Sequence, residues 1–140
     1  MSRVFLSAML CLLAVRTGHA AESARRFDGE WDTVLSCPNS GAALGYSFEF
    51  PSSIKEGVLH GEKGTQGQPG WLQLDGPISP DGRASLYANG LVGAAEMAVG
   101  HRPPGTPYGY HLDVQFNDNA GKGQRVEGRP CTVTFTKKAG

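Results

Sequence analysis

Helical signals are scarce in this sequence. Nowhere outside its first twenty residues does a convincing helical pattern of apolar residues develop. Metal-site spacing is missing as well: there is no Cys-x-x-Cys, and His60, His101 and His111 are not spaced as a helical pair of ligands. No Gly-x-Ser-x-Gly elbow marks a nucleophile. The glycine-rich piece GEKGTQGQPG lacks the Gly-Lys-Ser/Thr ending of a phosphate-cradling loop and reads as a long hairpin loop. Charge of neither sign is in excess, with 13 basic and 13 acidic residues, so no basic patch argues for nucleic acid. These absences point away from catalysis, and no cofactor or metal is implied. Glu49 and Asp113 lie on the polar faces of their strands, where carboxyl groups stay solvated.

The first twenty residues carry a signal of their own. A short basic start precedes the apolar run VFLSAMLCLLAV, and Gly18 and Ala20 occupy the small-residue positions of an A-x-A-like site. This is the pattern of a signal peptide over residues 1–20, with cleavage expected after Ala20. The run is too short to span a bilayer, which takes roughly 20 apolar residues. Residues 21–140 then form the mature chain, one domain by length, with no membrane span and a periplasmic or secreted destination. Arg3 and Arg16 leave with the leader, so eleven basic residues face thirteen acidic ones. Cys11 leaves too. The remaining cysteines, Cys37 and Cys131, read as one disulfide in an exported protein.

Gly and Pro punctuate the mature chain, and short alternating runs lie between them. In residues 27–37 (FDGEWDTVLSC) Phe27, Gly29, Trp31, Thr33, Leu35 and Cys37 share one face. Tyr46, Phe48 and Phe50 share a face in the next run, and residues 54–62 form a weaker strand interrupted by Gly57. Residues 71–78 and 83–89 flank a Ser-Pro-Asp-Gly turn. Residues 92–99 (VGAAEMAV) have helical propensity, yet eight residues between glycines suit a strand better. Residues 108–117 put Tyr108, Tyr110, Leu112, Val114 and Phe116 together, and residues 130–137 do the same for Cys131, Val133 and Phe135.

About eight short strands with turn signals between them predict an all-β sandwich or barrel. The cysteines choose between these. Cys37 and Cys131 lie on the inward faces of the first and last strands, and a disulfide requires their Cα atoms within roughly 4.4–6.8 Å. The first and last strands are therefore neighbours, and the sheet closes. The expected fold is a small antiparallel up-and-down β-barrel stapled at its seam. So many inward rings favour a solid interior over a roomy cavity.

Gly29-Glu30-Trp31 on the first strand of such a chain resembles the calycin pattern of avidin- and lipocalin-like barrels. The resemblance implies that Trp31 plugs the closed end and that a basic residue of the last strand lies across it. With Cys37 facing Cys131, that residue is Lys137 rather than Arg129, which falls near Asn39 at the other end. Biotin binding is not implied, since avidin's biotin-contacting residues have no counterpart. The chain is also similar to small, largely uncharacterised exported proteins of Gram-negative bacteria that share FDGxW, a PGW-like segment, a PDG turn and a final R-x-C-x-x-x-F strand.

Strict alternation of eight strands brings residues 38–44, 63–70 and 118–124 to one end as a polar rim and sends residues 100–110 to the other. The second loop carries His101, Arg102, Tyr108 and Tyr110, residue types that anchor interfaces, stiffened by Pro103, Pro104 and Pro107. The expected function is an exported binding or interaction module without catalytic activity, with an unknown protein or small ligand as partner. The alternative is an inhibitor of a periplasmic or secreted enzyme that inserts this loop. A small hydrolase stands third.

Overall fold

A computed structural model describes residues 25–140. The signal peptide expected over residues 1–20, its expected cleavage site and Cys11 lie outside the described residues. Eight strands follow in order: β1 (Gly29–Cys37), β2 (Tyr46–Lys55), β3 (Val58–Lys63), β4 (Leu72–Pro77), β5 (Arg83–Leu91), β6 (Pro107–Phe116), β7 (Ala120–Arg125) and β8 (Thr132–Lys137), with one 3-10 turn, Ala95–Met97. Each strand pairs antiparallel with its sequence neighbour, and β8 returns to β1, giving a closed barrel. The Cys37–Cys131 disulfide joins the two edges at the seam, with Cα atoms 4.2 Å apart.

The barrel is solid at one end. Trp31 is wholly buried and donates its indole N–H to the carbonyl of Phe27 at 2.9 Å. Phe116 meets it edge-on at 5.4 Å, and Phe27 and Phe135 pack on Phe116 at 6.0 and 5.0 Å. This aromatic knot fills the end where β1 starts. Trp31 pairs with Lys137 across the seam, and the ammonium lies 5.9 Å from the indole. The carboxylate of Asp28 accepts the N–H groups of Glu56 and Gly57, which closes the tight β2–β3 turn over the same end.

Eight strands were expected and eight are present, but two of them differ from the sequence reading. Residues 92–99 are not a strand. They begin the long β5–β6 connection and include the 3-10 turn. Residues 120–125, expected within a loop, form β7. Its inward positions Gly121 and Gly123 show no apolar alternation, for a packing reason. A Cβ on Gly121 would sit 2.7 Å from the Phe116 ring, and one on Gly123 would sit 2.7 Å from Val114. The wall is bare there so that side chains of β6 lie across it.

This exchange reverses two loops. Residues 100–106 lie at the same end as residues 38–45 and 64–71, whereas residues 117–119 turn at the opposite, plugged end. A smaller correction concerns β2, which runs through Pro51 as far as Lys55 and includes Ile54. Pro51 has no N–H to donate, and the β2–β3 ladder goes no further toward the open end than Ser52 opposite Gly61.

Candidate functional site

The open end holds a cavity of about 400 Å³. Its walls are set by strand parity. Tyr46 and Phe48 follow inward from β2, Tyr108 from β6, Lys63 from β3 and Arg125 from β7. The interior is therefore divided. Its lower half is the aromatic plug, and its upper half is hollow, which corrects the expectation of a solid interior. The inward rings near the mouth stand around the space instead of filling it. Gly90 makes room for one of them: a Cβ there would lie 2.5 Å from the Tyr108 hydroxyl.

Residues 92–106 roof the cavity. Hydrogen bonds from Val92 N–H to Thr106 and from Gly105 N–H to Val92, at 2.9 and 2.7 Å, hold the base of this strap. Met97, Ala98 and Val99 face the cavity from it. On an eight-strand ring the β1–β2 and β5–β6 connections stand at opposite points, so the strap crosses the whole mouth to reach its partner. Leu44 N–H donates to Glu96 O there at 2.8 Å.

Arg129 fastens this arrangement. It is buried, and its guanidinium donates to three carbonyls: Nε to Pro38 at 2.7 Å, Nη1 to Met97 at 2.8 Å and Nη2 to Leu44 at 2.6 Å. One side chain from the β7–β8 connection thus ties two loops together, a use of the planar fork that lysine cannot imitate.

The expected site residues separate. Arg102 and Tyr108 line the cavity. Tyr110 lies buried deeper along the same strand face, stacked on Tyr108 at 6.1 Å between ring centres. His101 is exposed on the strap, with φ of 47° and its Nε2 3.4 Å from the Ala42 carbonyl. Trp31 and Lys137 belong to the plug at the far end. The sequence reading missed Lys63, Arg125 and the role of Arg129. Lys63 was recoverable, since it continues the inward series Leu59, Gly61. Arg125 was hidden with its strand.

Burial raises the phenol pKa values of Tyr46, Tyr108 and Tyr110, against a smaller opposing pull from Arg125 and, at Tyr46, chiefly Arg129. All three rings thus present neutral hydroxyls at physiological pH. No group of His, Cys, Asp or Glu that would hold a metal ion occurs among the described residues. No helix among them is long and apolar enough to cross a membrane. The closed eight-stranded antiparallel barrel with one disulfide is consistent with a small calycin-like protein. Comparison with known families, curated proteins and solved structures finds no match to this chain.

Proposed function

We propose that this chain is an exported, non-enzymatic binding protein of calycin-like type that encloses a small molecule under the strap at its barrel mouth. The observation that carries this reading is the cavity itself. Its volume of about 400 Å³ lies in the range of small-ligand sites, roughly 300–1,000 Å³. It is walled by rings and aliphatic side chains, with a few polar groups converging on it. Its lining includes no carboxylate, serine, cysteine or histidine. That composition suits holding a molecule better than transforming it. Export is supported by the leader pattern and by the disulfide.

Fluorescence titration with phenylnaphthylamine, a neutral aromatic probe, tests the reading. One saturable site is expected, and it is lost in Ala98→Trp, which fills the space beneath the roof. Absence of saturable binding of both this probe and its sulfonated counterpart by the unaltered protein, or equal binding by Ala98→Trp, would overturn it.

A second reading, inhibition of a periplasmic or secreted enzyme, draws on the exposed, proline-braced strap. Stoichiometric capture of a single enzyme by the immobilised protein, lost when Arg102 and His101 become alanine, would favour that reading over the first.

A further inference from the structure

Two cations point into the hollow half of the barrel. Lys63 and Arg125 stand four strands apart on an eight-strand ring, so they face each other across the lumen. Each leans on a ring. The Lys63 ammonium lies 4.1 Å from the centre of Phe48, and the Arg125 guanidinium lies 4.0 Å from that of Tyr110. Arg102 and Arg129 add their charge to the same lining.

None of these four cations forms an ion pair among the described residues. Arg25, Arg26, Arg83 and Lys138, on the outside of the molecule, each meet a carboxylate. A positive charge held in a partly enclosed, apolar space without a counter-charge is costly, and stacking on an aromatic face offsets only part of that cost. Arg102 is exposed and Arg129 is satisfied by carbonyls, which leaves Lys63 and Arg125 as the half-buried charges; the lining holds no acid, and the element the two lack is an anion.

Donor accounting narrows the location. Arg129 commits Nε, Nη1 and Nη2 to carbonyls, so it contributes field alone. Arg125 commits only Nε, to the Glu127 carbonyl, and its Nη groups keep their protons free. Lys63 makes one long bond, 3.4 Å, to the Gly70 carbonyl. Below Arg125, the Tyr110 hydroxyl is buried with no hydrogen-bond partner among the described residues.

We infer that the mouth cavity is selective for organic anions: amphiphilic acids whose carboxylate, sulfonate or phosphate head is held between Lys63 and Arg125. The apolar or aromatic body lies against Phe48, Tyr46, Tyr108 and the Met97 side of the roof. This inference rests on the binding reading above and assigns the chemistry of its ligand.

The test uses two probes with one body. Anilinonaphthalene sulfonate is anionic, and phenylnaphthylamine is its neutral counterpart. The unaltered protein is expected to bind the anion at least about 10-fold more tightly, in keeping with a charge-assisted hydrogen bond. Lys63→Met and Arg125→Met are each expected to weaken the anion about 10-fold or more while leaving the neutral probe in place. Retained neutral binding also shows that a variant is folded. Arg125→Lys keeps the charge and is expected to keep the preference. Equal affinity of the unaltered protein for the two probes would overturn the anion inference while leaving the cavity reading intact. So would an anion preference that survives the double methionine variant. Saturation by neither probe would remove both readings together. Competition by octanoate, octyl phosphate and octanol then identifies the head: displacement by octanol as strong as that by the two acids would also overturn the inference.

Discussion

The backbone N–H of Leu44 donates to the carbonyl of Glu96 at 2.8 Å, joining two connections that leave the barrel at opposite points of its rim. Arg129 bonds the carbonyl of Leu44 and that of Met97 beside it. The roof is therefore latched by a few polar contacts at one place, while its base is anchored in β5 and β6. Arg129→Met is expected to release the latch. The loss of three bonds from a charged donor corresponds to roughly 2–4 kcal/mol, shared between global stability and local opening of the strap. Hydrogen exchange should show lost protection at Leu44 and across residues 92–106, with little change in β1 near Trp31. Arg129→Lys should behave almost as badly, because an ammonium cannot satisfy three separated carbonyls. Unchanged exchange at Leu44 would show that the latch is not needed.

The barrel was legible in the sequence wherever inward positions are large. Trp31, Leu35, Phe50, Leu112, Phe116, Val133 and Phe135 alternate strictly, and all are buried. Closure followed from parity at Cys37 and Cys131 alone. The site was far less legible. β7 was hidden because Gly121 and Gly123 occupy its inward positions, and its one telling residue, Arg125, is a cation where an apolar side chain was sought. Residues 92–99 misled in the opposite sense. Val92 and Met97 are apolar because they roof a cavity, and burial in a loop leaves no periodicity in the chain. The two errors cancelled in the strand count, yet they exchanged the barrel ends to which residues 100–110 and 118–124 were assigned.

Among the packed rings, stability should be concentrated in the plug. Trp31→Ala removes the largest fully buried side chain and leaves a void among Phe27 and Phe116. Its expected cost is about 3–5 kcal/mol. Tyr108→Ala, at the half-buried rim, should cost less than half of that while abolishing high-affinity probe binding. Chemical denaturation of the two variants beside the unaltered protein reads both quantities. A larger loss for Tyr108→Ala would reverse this assignment of roles.

The seam bond closes a loop of 94 residues. By the chain-entropy argument its loss costs at most about 4–5 kcal/mol. A Cys37→Ala, Cys131→Ala double variant should melt well below the oxidised protein. Adding reductant should lower the midpoint of the unaltered protein but leave that of the variant where it is. Identical melting of oxidised and reduced protein would contradict the stapling role.

Two opposite pH limits follow from the titrating groups. The hydrogen bond from His111 holds the Glu127 carboxyl below its ordinary value of 4.5. Its contribution is present above pH 4.5 and is lost as the pH falls through the lower folded value. The carboxylate is exposed, so the effect is small and local to the β7–β8 connection. Tyr46, Tyr108 and Tyr110 have raised values, so their contribution is complete below the ordinary 10.0 and is lost as the pH rises beyond it. Absorbance titration should show these three phenols ionising together with loss of the barrel's circular dichroism. Ionisation of all three near pH 10 without unfolding would contradict their burial.

The uneven filling of the cylinder also bears on how such a scaffold can change. Cohesion resides in the indole and phenyl rings at one pole and in the seam bond and the Arg129 latch at the other, so the cavity-lining side chains between them carry little of it. Substitutions at Tyr46, Phe48, Lys63, Arg102 or Arg125 can therefore reshape the cavity without endangering the body that carries them. Lineages, or designers, can diversify one rim of this cylinder while its base stays fixed.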